Sequence, residues 1–279
     1  MKVFRMELKR SIYNIGMLVA IILGLACIFI KQYGVCSRII SSHKWIRSIG
    51  GQPYNEMVMT PFIIDWVVMM IEPGTIYLFY MFGLIAALPY GISYYRDRKT
   101  GLIKNICVRT NHNTYLRAKY FATFISGGIA VSIPLIADLL IAKLWSPRGF
   151  QGNYIKISGT VLLPHTKWLV FTVDHYYIVA LIYIFLWFIF GGGLATISLM
   201  VSTYTDNIFT IQLVPFLVML IFFYFPGAID VSNINKLLPY NFLTNLGKSN
   251  PIFGTLVSAV LVIVTYSIYM SKERRRDIF

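Results

Sequence analysis

Residues Tyr176–Val201 read YYIVALIYIFLWFIFGGGLATISLMV, a run without one charged side chain. A hydrocarbon core about 30 Å thick needs about 20 apolar residues in a helix to cross it. This run is long enough. In lipid its backbone N–H and C=O groups must pair within the segment, so it is predicted to be a membrane-spanning helix. The alternation over about ten residues that marks a membrane β-barrel strand is missing here and elsewhere in the chain.

Five more runs meet the same requirement: Ile12–Ile30, Thr75–Tyr95, Tyr120–Ala142, Ile208–Phe225 and Ile252–Met270. The expected fold is an all-α membrane protein with six transmembrane helices, one domain covering residues 1–279. A seventh run, Phe62–Ile71, is too short to span. It carries Asp65 and lies between Pro61 and Pro73-Gly74, so a short interfacial helix within an outer loop over residues 31–74 is expected. The first run is longer than a signal-peptide core, and Cys36-Ser37-Arg38 beyond it is no small-x-small cleavage site. It is expected to be a retained helix.

Composition agrees with a bilayer environment. The chain is 57% hydrophobic and 13% charged, about half the charged fraction of a soluble domain. Its net charge of +14 would suggest nucleic acid in a soluble protein. Here the basic residues cluster at the ends of apolar runs, against anionic headgroups, and no basic stripe is interleaved with stacking aromatics. Nucleic acid is therefore not expected as a partner; the bilayer is.

Lys and Arg also set the orientation. One side holds Lys2, Arg5, Lys9 and Arg10, the loop from Arg96 through Lys119, and the tail from Lys272 through Arg276. It is the more densely basic side, so both termini are expected in the cytoplasm. Tyr94-Tyr95, Trp145, Tyr176-Tyr177 and Tyr266 fall at span borders, as interfacial aromatics do.

Cys27, Cys36 and Cys107 are odd in number and lack disulfide or metal spacing. His43, His112, His165 and His175 all lie outside the apolar runs and read as loop residues. Asp138 is the one clearly intrahelical acid. It lies 19 positions beyond Lys119, about 28 Å along a helix, near the outer interface. Lys143 is the expected partner, and no intramembrane His or Lys is expected beside it. An intramembrane catalytic site is therefore not expected. Gly247-Lys248-Ser249 is like the end of a phosphate-binding loop, but the required earlier glycine is Phe242. No nucleotide site or other cofactor is expected in this chain.

Small residues recur every four positions: Gly16, Ala20 and Gly24 on the first run, Gly83, Ala87 and Gly91 on the second, and Ala122, Ser126 and Ala130 on the third. Such stripes let backbones approach closely in lipid. Two readings stay open for the first: packing within the chain, or a dimer interface. Gly191-Gly192-Gly193 and Pro215 interrupt the fourth and fifth runs, where a bend, tight packing or a substrate path are the alternatives.

The loop between the second and third runs reads Tyr94-Tyr95-Arg96-Asp97-Arg98-Lys99-Thr100-Gly101-Leu102-Ile103-Lys104-Asn105-Ile106, then passes through Asn111-His112-Asn113-Thr114 to Tyr115-Leu116 and Lys119. Leu102, Ile103 and Ile106 are helically spaced among polar neighbours. A short amphipathic helix and a turn at Thr110–Asn113 are expected. It either lies on the membrane or docks in a partner's groove.

These residues resemble the permease subunits of type-2 ABC exporters. Asp97, Gly101 four positions later, the short helix, the turn at Asn111–Thr114 and the Tyr115-Leu116…Lys119 entry form the pattern. The form Arg-Lys-Thr-Gly-x-x-Lys-Asn-Ile is most similar to the bacitracin-, lantibiotic- and cytolytic-peptide-exporter permeases of Gram-positive bacteria. Looser similarity covers Lys2–Arg10 (a cytoplasmic elbow helix, residues 1–11), Ser202–Asn207 (a short turn) and Leu237–Leu243 (an outer segment). The resemblance implies a coupling loop over residues 96–115. Asp97, Arg98, Thr100, Gly101, Leu102, Lys104, Asn105 and Ile106 would contact an ATP-binding subunit. Two such ATPase copies, which bind ATP and Mg, would work with two permease chains, identical or homologous. The implied function is ATP-driven export of amphipathic peptides from the cell membrane, with no enzyme activity in the chain itself. An ion-coupled secondary transporter or channel is the alternative; it calls for intramembrane charges and an inverted repeat.

Overall fold

The structure, a computed structural model, describes residues 2–48, 73–145, 175–228, 239–243 and 251–274. The predicted interfacial helix Phe62–Ile71, the Gly247-Lys248-Ser249 tripeptide and Arg275-Arg276 lie outside these residues. The described residues are helical with no strand. The helices are α1 (Lys2–Ile12), α2 (Ile15–Ser48), α3 (Pro73–Ala87), α4 (Ser93–Lys99), α5 (Leu102–Cys107), α6 (His112–Trp145), α7 (Tyr176–Val201), α8 (Ile208–Ala228), α9 (Pro239–Leu243) and α10 (Pro251–Glu273).

Among the described residues, four helices contain segments long and apolar enough to cross a membrane: Ile15–Ser37 of α2, His112–Leu144 of α6, Tyr177–Val201 of α7, and α10. α3 and the Ile208–Phe222 part of α8 are apolar but shorter. The predicted second span, Thr75–Tyr95, is divided. α3 ends at Ala87, residues 88–92 form turns, and α4 begins at Ser93. Pro89 is the cause, because it disfavours a helical Leu88 and has no N–H to donate to Ile85. The predicted outer loop 31–74 is also corrected at its start. α2 continues through Ser48, so residues 31–48, His43 among them, are helical.

Local side-chain bonds set the ends of the elements. Asn14 serves two helices at once. Its Nδ2 donates to the carbonyls of Arg10 (3.1 Å) and Ser11 (2.7 Å) at the end of α1, and its Oδ1 accepts from the Met17 amide (2.8 Å) at the start of α2. These are orphan groups that a helix end must satisfy somehow. Asn207 Oδ1 accepts from the Phe209 amide (2.9 Å) and so caps α8 in the same way.

α6 and α7 form the central pair. α6 packs against α1, α2, α3 and α10, and α7 against α3, α8 and α10. Apolar burial does not drive helices together in lipid, so close backbone approach must. A Cβ added at Gly83 would lie 2.3 Å from the Pro215 carbonyl oxygen, and one at Gly24 would lie 2.3 Å from Cγ of Pro134. Gly192 is similarly tight on the Phe124 carbonyl oxygen (2.6 Å), and Gly193 on Leu261 (2.4 Å). The predicted interruptions at Gly191–Gly193 and Pro215 are therefore contact points, and α7 and α8 run through them without a break.

The Gly16–Ala20–Gly24 stripe faces the chain's own helices. Ala20 is fully buried, a Cβ at Gly16 would meet the Leu88 carbonyl oxygen (2.4 Å), and Gly24 receives Pro134. Of the two open readings, packing within the chain is the one observed. A dimer seam through these residues would require α2 to leave α6.

Aromatic side chains fill the centre. Phe79 and Phe82 pack edge-on to Trp187 with centroids 4.8 and 5.0 Å away, and Phe190 bridges Phe82 and Phe242. Trp187 Nε1 donates to the Leu243 carbonyl (2.9 Å), which satisfies the one polar atom of the indole. Thermal unfolding in detergent tests the α2–α6 contact. Gly24→Leu is expected to destabilise by about 1–3 kcal/mol, as overpacking does, whereas Val19→Leu on the exposed face of α2 leaves the midpoint unchanged.

Candidate functional site

Where α1, α4 and α6 meet, four charged side chains converge. α6 starts at His112, and its first turns carry Tyr115 and Lys119 on one face, four residues apart. α4 supplies Asp97, α1 supplies Glu7 and Arg10, and the turn made by Pro89 supplies Tyr90. Glu7 and Lys119 are fully buried and Asp97 nearly so.

Every hydrogen-bonding position of the lysine is used. Lys119 Nζ donates to Glu7 Oε2 (2.8 Å), to the Tyr90 hydroxyl (3.2 Å) and to Asp97 Oδ2. Arg10 reaches Asp97 Oδ1 from Nη2 (2.7 Å) and Glu7 Oε1 from Nη1 (3.1 Å). Tyr90 donates to Glu7 Oε2 (2.5 Å), and Tyr115 donates to Asp97 Oδ2 (2.8 Å). The two acids and two bases sum to zero charge. Burial penalises each ion separately, so Glu7, Asp97 and Lys119 can be buried together only when paired and fully bonded, with the half-exposed Arg10 bringing the group to neutrality.

Protonation follows. Burial alone would raise the Asp97 carboxyl. The charge of Lys119 and the bonds from Arg10, Lys119 and Tyr115 outweigh that and hold it below the ordinary carboxylate value. Burial and the Glu7 carboxylate push the Tyr90 phenol far up, so it stays protonated and remains a donor.

Above the cluster stands a helical hairpin. Thr100 closes α4, donating to the Arg96 carbonyl through both its amide (3.0 Å) and its hydroxyl (2.9 Å). Gly101 then turns at φ +69°, the left-handed region that suits glycine. α5 follows, with Ile103 buried beside Tyr94, Tyr115 and Leu116. Arg96, Lys99, Thr100, Lys104, Asn105 and Val108 are exposed. The hairpin is also tied at its sides. Arg98 pairs with Asp206 in the α7–α8 turn, Tyr94 donates to the Glu273 carboxylate on α10, and His112 Nε2 lies 3.2 Å from the Glu273 carbonyl oxygen.

The residues predicted to meet a partner thus divide. Thr100, Lys104 and Asn105 stand at the exposed tip, while Gly101, Leu102 and Ile106 are half-buried beneath it. Arg98 is half-buried on Asp206. Asp97 requires a correction: its carboxylate faces inward, so it roots the hairpin instead of offering a surface. Three members of the cluster were not singled out from sequence: Glu7, Arg10 and Tyr90. Glu7 carried a signal, as the lone acid in a segment with Lys2, Arg5, Lys9 and Arg10.

A second buried pair lies about 28 Å farther along α6. Lys31 Nζ of α2 meets Asp138 Oδ2 at 2.5 Å, and Gln32 Nε2 donates to Asp138 Oδ1 (2.6 Å). The expected partner Lys143 instead sits over the Tyr177 ring, 5.5 Å from its centroid. Lys31 was missed because it falls one residue past the apolar run, on a helix that does not stop there. Among the described residues no three His, Cys, Asp or Glu side chains gather as a metal site. Comparison with family models, curated proteins and solved structures finds no match for this chain.

Removing one member should leave unpaired buried charge. Lys119→Met is expected to cost about 3–5 kcal/mol. Adding Glu7→Gln should recover part of that, because Arg10 and Asp97 then remain as a pair; thermal unfolding of both variants checks this. A second expectation concerns pH. The lowered Asp97 carboxyl contributes stability that is complete above about pH 4 and is lost as pH falls further, through its folded value. Asp97→Asn should flatten that acid limb of the unfolding midpoint.

Proposed function

We propose that the chain is the membrane subunit of an ATP-driven exporter of the type-2 ABC class, carrying amphipathic peptides out of a Gram-positive cell membrane. In this reading α2, α3, α6, α7, α8 and α10 are its six spans and both termini are cytoplasmic. α1 is the elbow helix, and a second permease chain completes the membrane part. ATP and Mg bind to two copies of a separate ATPase subunit, so this chain is not an enzyme.

One observation carries the reading: the α4–Gly101–α5 hairpin is exposed at its tip and ion-paired at its root. A hairpin that only rested on lipid would have no need of such a root. A push on α5 is delivered through Asp97 to Lys119 on α6 and to Arg10 on α1. It also passes through Arg98 to the α7–α8 turn and through Tyr94 to α10. Four parts of the bundle are thus addressed from one lever, and rigid-body motion can follow. The Asp97–Gly101 spacing and the Arg-Lys-Thr-Gly-x-x-Lys-Asn-Ile form support the assignment from the sequence side.

The test is ATPase activity of the chain assembled with its ATP-binding subunit. Gly101→Val forces a β-branched residue into a left-handed conformation, a strain of about 1–3 kcal/mol at the hairpin apex. We expect about a tenfold loss of substrate-stimulated ATPase from that strain, with the chain still folded by thermal unfolding. Unaltered stimulation, or an Asn105→Cys tip that never cross-links to the ATPase, would overturn the proposal.

A second reading is an ion-coupled secondary transporter, since Lys31 and Asp138 form a buried ion pair between α2 and α6 and buried ionisable side chains on membrane helices mark proton and ion paths in such proteins. Transport that survives ATP depletion and collapses with the proton gradient would select it.

A further inference from the structure

α1 has three distinct faces. Glu7 and Ser11, four residues apart, are buried toward α6. On the opposite side Lys2, Arg5 and Lys9 recur at helical spacing, and all three are exposed. Between them Phe4, Leu8 and Ile12, also four apart, form a half-buried apolar flank. The only acid on this helix, Glu7, lies on the buried face, so nothing on α1 neutralises the outer cations.

The level of this helix follows from its neighbour. Immediately past the Asn14 elbow, Ile15, Leu18 and Ile22 are 82%, 58% and 56% exposed. A membrane-spanning helix presents such a face to acyl chains, so the acyl region begins at the elbow. Tyr13, 80% exposed, sits at that border as interfacial aromatics do. α1 therefore lies at headgroup depth, its orientation about its own axis held by the Glu7 and Arg10 bonds to Lys119 and Asp97.

We infer that the Lys2–Arg5–Lys9 face is a binding surface for anionic phospholipid headgroups, with the Phe4–Leu8–Ile12 flank against the acyl boundary. A phosphodiester is a suitable partner because it gives three separated cations a shared anionic surface, and lysine and arginine both hold phosphate oxygens well. The consequence is linkage. The face that meets lipid and the face that joins the ion cluster belong to one short helix, so headgroup charge stabilises the seating of α1 against α4 and α6. The inference needs only the membrane setting and stands independently of the exporter reading.

The test uses the full chain in detergent, with phosphatidylglycerol or phosphatidylcholine added, and reads the unfolding midpoint and lipid retained by native mass spectrometry. Phosphatidylglycerol should raise the midpoint and be retained; phosphatidylcholine and free glycerol phosphate should do neither. Each basic residue near an anionic surface strengthens binding about fivefold, so Lys2→Gln/Arg5→Gln/Lys9→Gln should lower phosphatidylglycerol affinity by roughly a hundredfold. Its midpoint in phosphatidylcholine should match the wild type. Lys104→Gln/Arg109→Gln, which removes exposed cations on and just beyond α5, should keep the full effect. Salt at about 500 mM should abolish the wild-type shift, giving a readout independent of any variant. The inference fails if the α1 variant responds like the wild type, if the control variant loses as much, if glycerol phosphate suffices, or if salt has no effect.

Discussion

The Lys119 ammonium, enclosed between the Glu7 and Asp97 carboxylates, is the constraint on which the arrangement at this end of the molecule depends. A lysine at zero exposure among apolar helices is stable only if every N–H finds an acceptor and the charge finds its opposite. Those acceptors come from α1, α4 and the turn at Tyr90, three elements that are separate in sequence. Burying Lys119 therefore dictates where each of them sits. Pro89 makes this feasible by ending α3, which frees Tyr90 to turn inward and α4 to start in a new direction.

At the other end of α6, Asp138 imposes a similar requirement on α2 through Lys31 and Gln32. The two ionic anchors are about 28 Å apart, close to the thickness of the hydrocarbon core. Between them the contacts are of a different kind. Pro134 rests in the notch at Gly24, Gly83 lies on the Pro215 carbonyl, and Phe79, Phe82 and Trp187 interlock. Charge pairing at the borders and small-residue packing in the middle suit a solvent in which apolar burial alone gives helices no reason to associate.

The hairpin above the cluster derives its mechanical character from this foundation. Its tip is exposed and polar, while its root is tied to α1, α6, α10 and the α7–α8 turn. Displacement of a free surface helix would dissipate in lipid or water. Displacement of this one must stretch buried ion pairs or move the helices that carry them. α1 adds a boundary condition, since one of its faces joins the cluster while the opposite face carries the exposed cations Lys2, Arg5 and Lys9.

Much of this was legible in the sequence, for physical reasons that can be named. Runs such as Tyr176–Val201 have no other stable state in lipid than a helix, so fold class follows from composition and length alone. The short helix at Leu102 follows from the helical spacing of Leu102, Ile103 and Ile106, whereas the turn expected at Thr110–Asn113 is already helical from His112 onward. What local rules cannot supply is which distant charge answers which. Asp138 was expected to find Lys143 on its own helix, yet it meets Lys31, 107 positions away. Asp97 was expected at a surface, yet it faces Lys119 and Arg10. The Gly16–Ala20–Gly24 stripe was legible as a contact face, but its occupant was not. Pairing of buried charges is decided by three-dimensional proximity after the helices have packed, and only the tertiary structure holds that information.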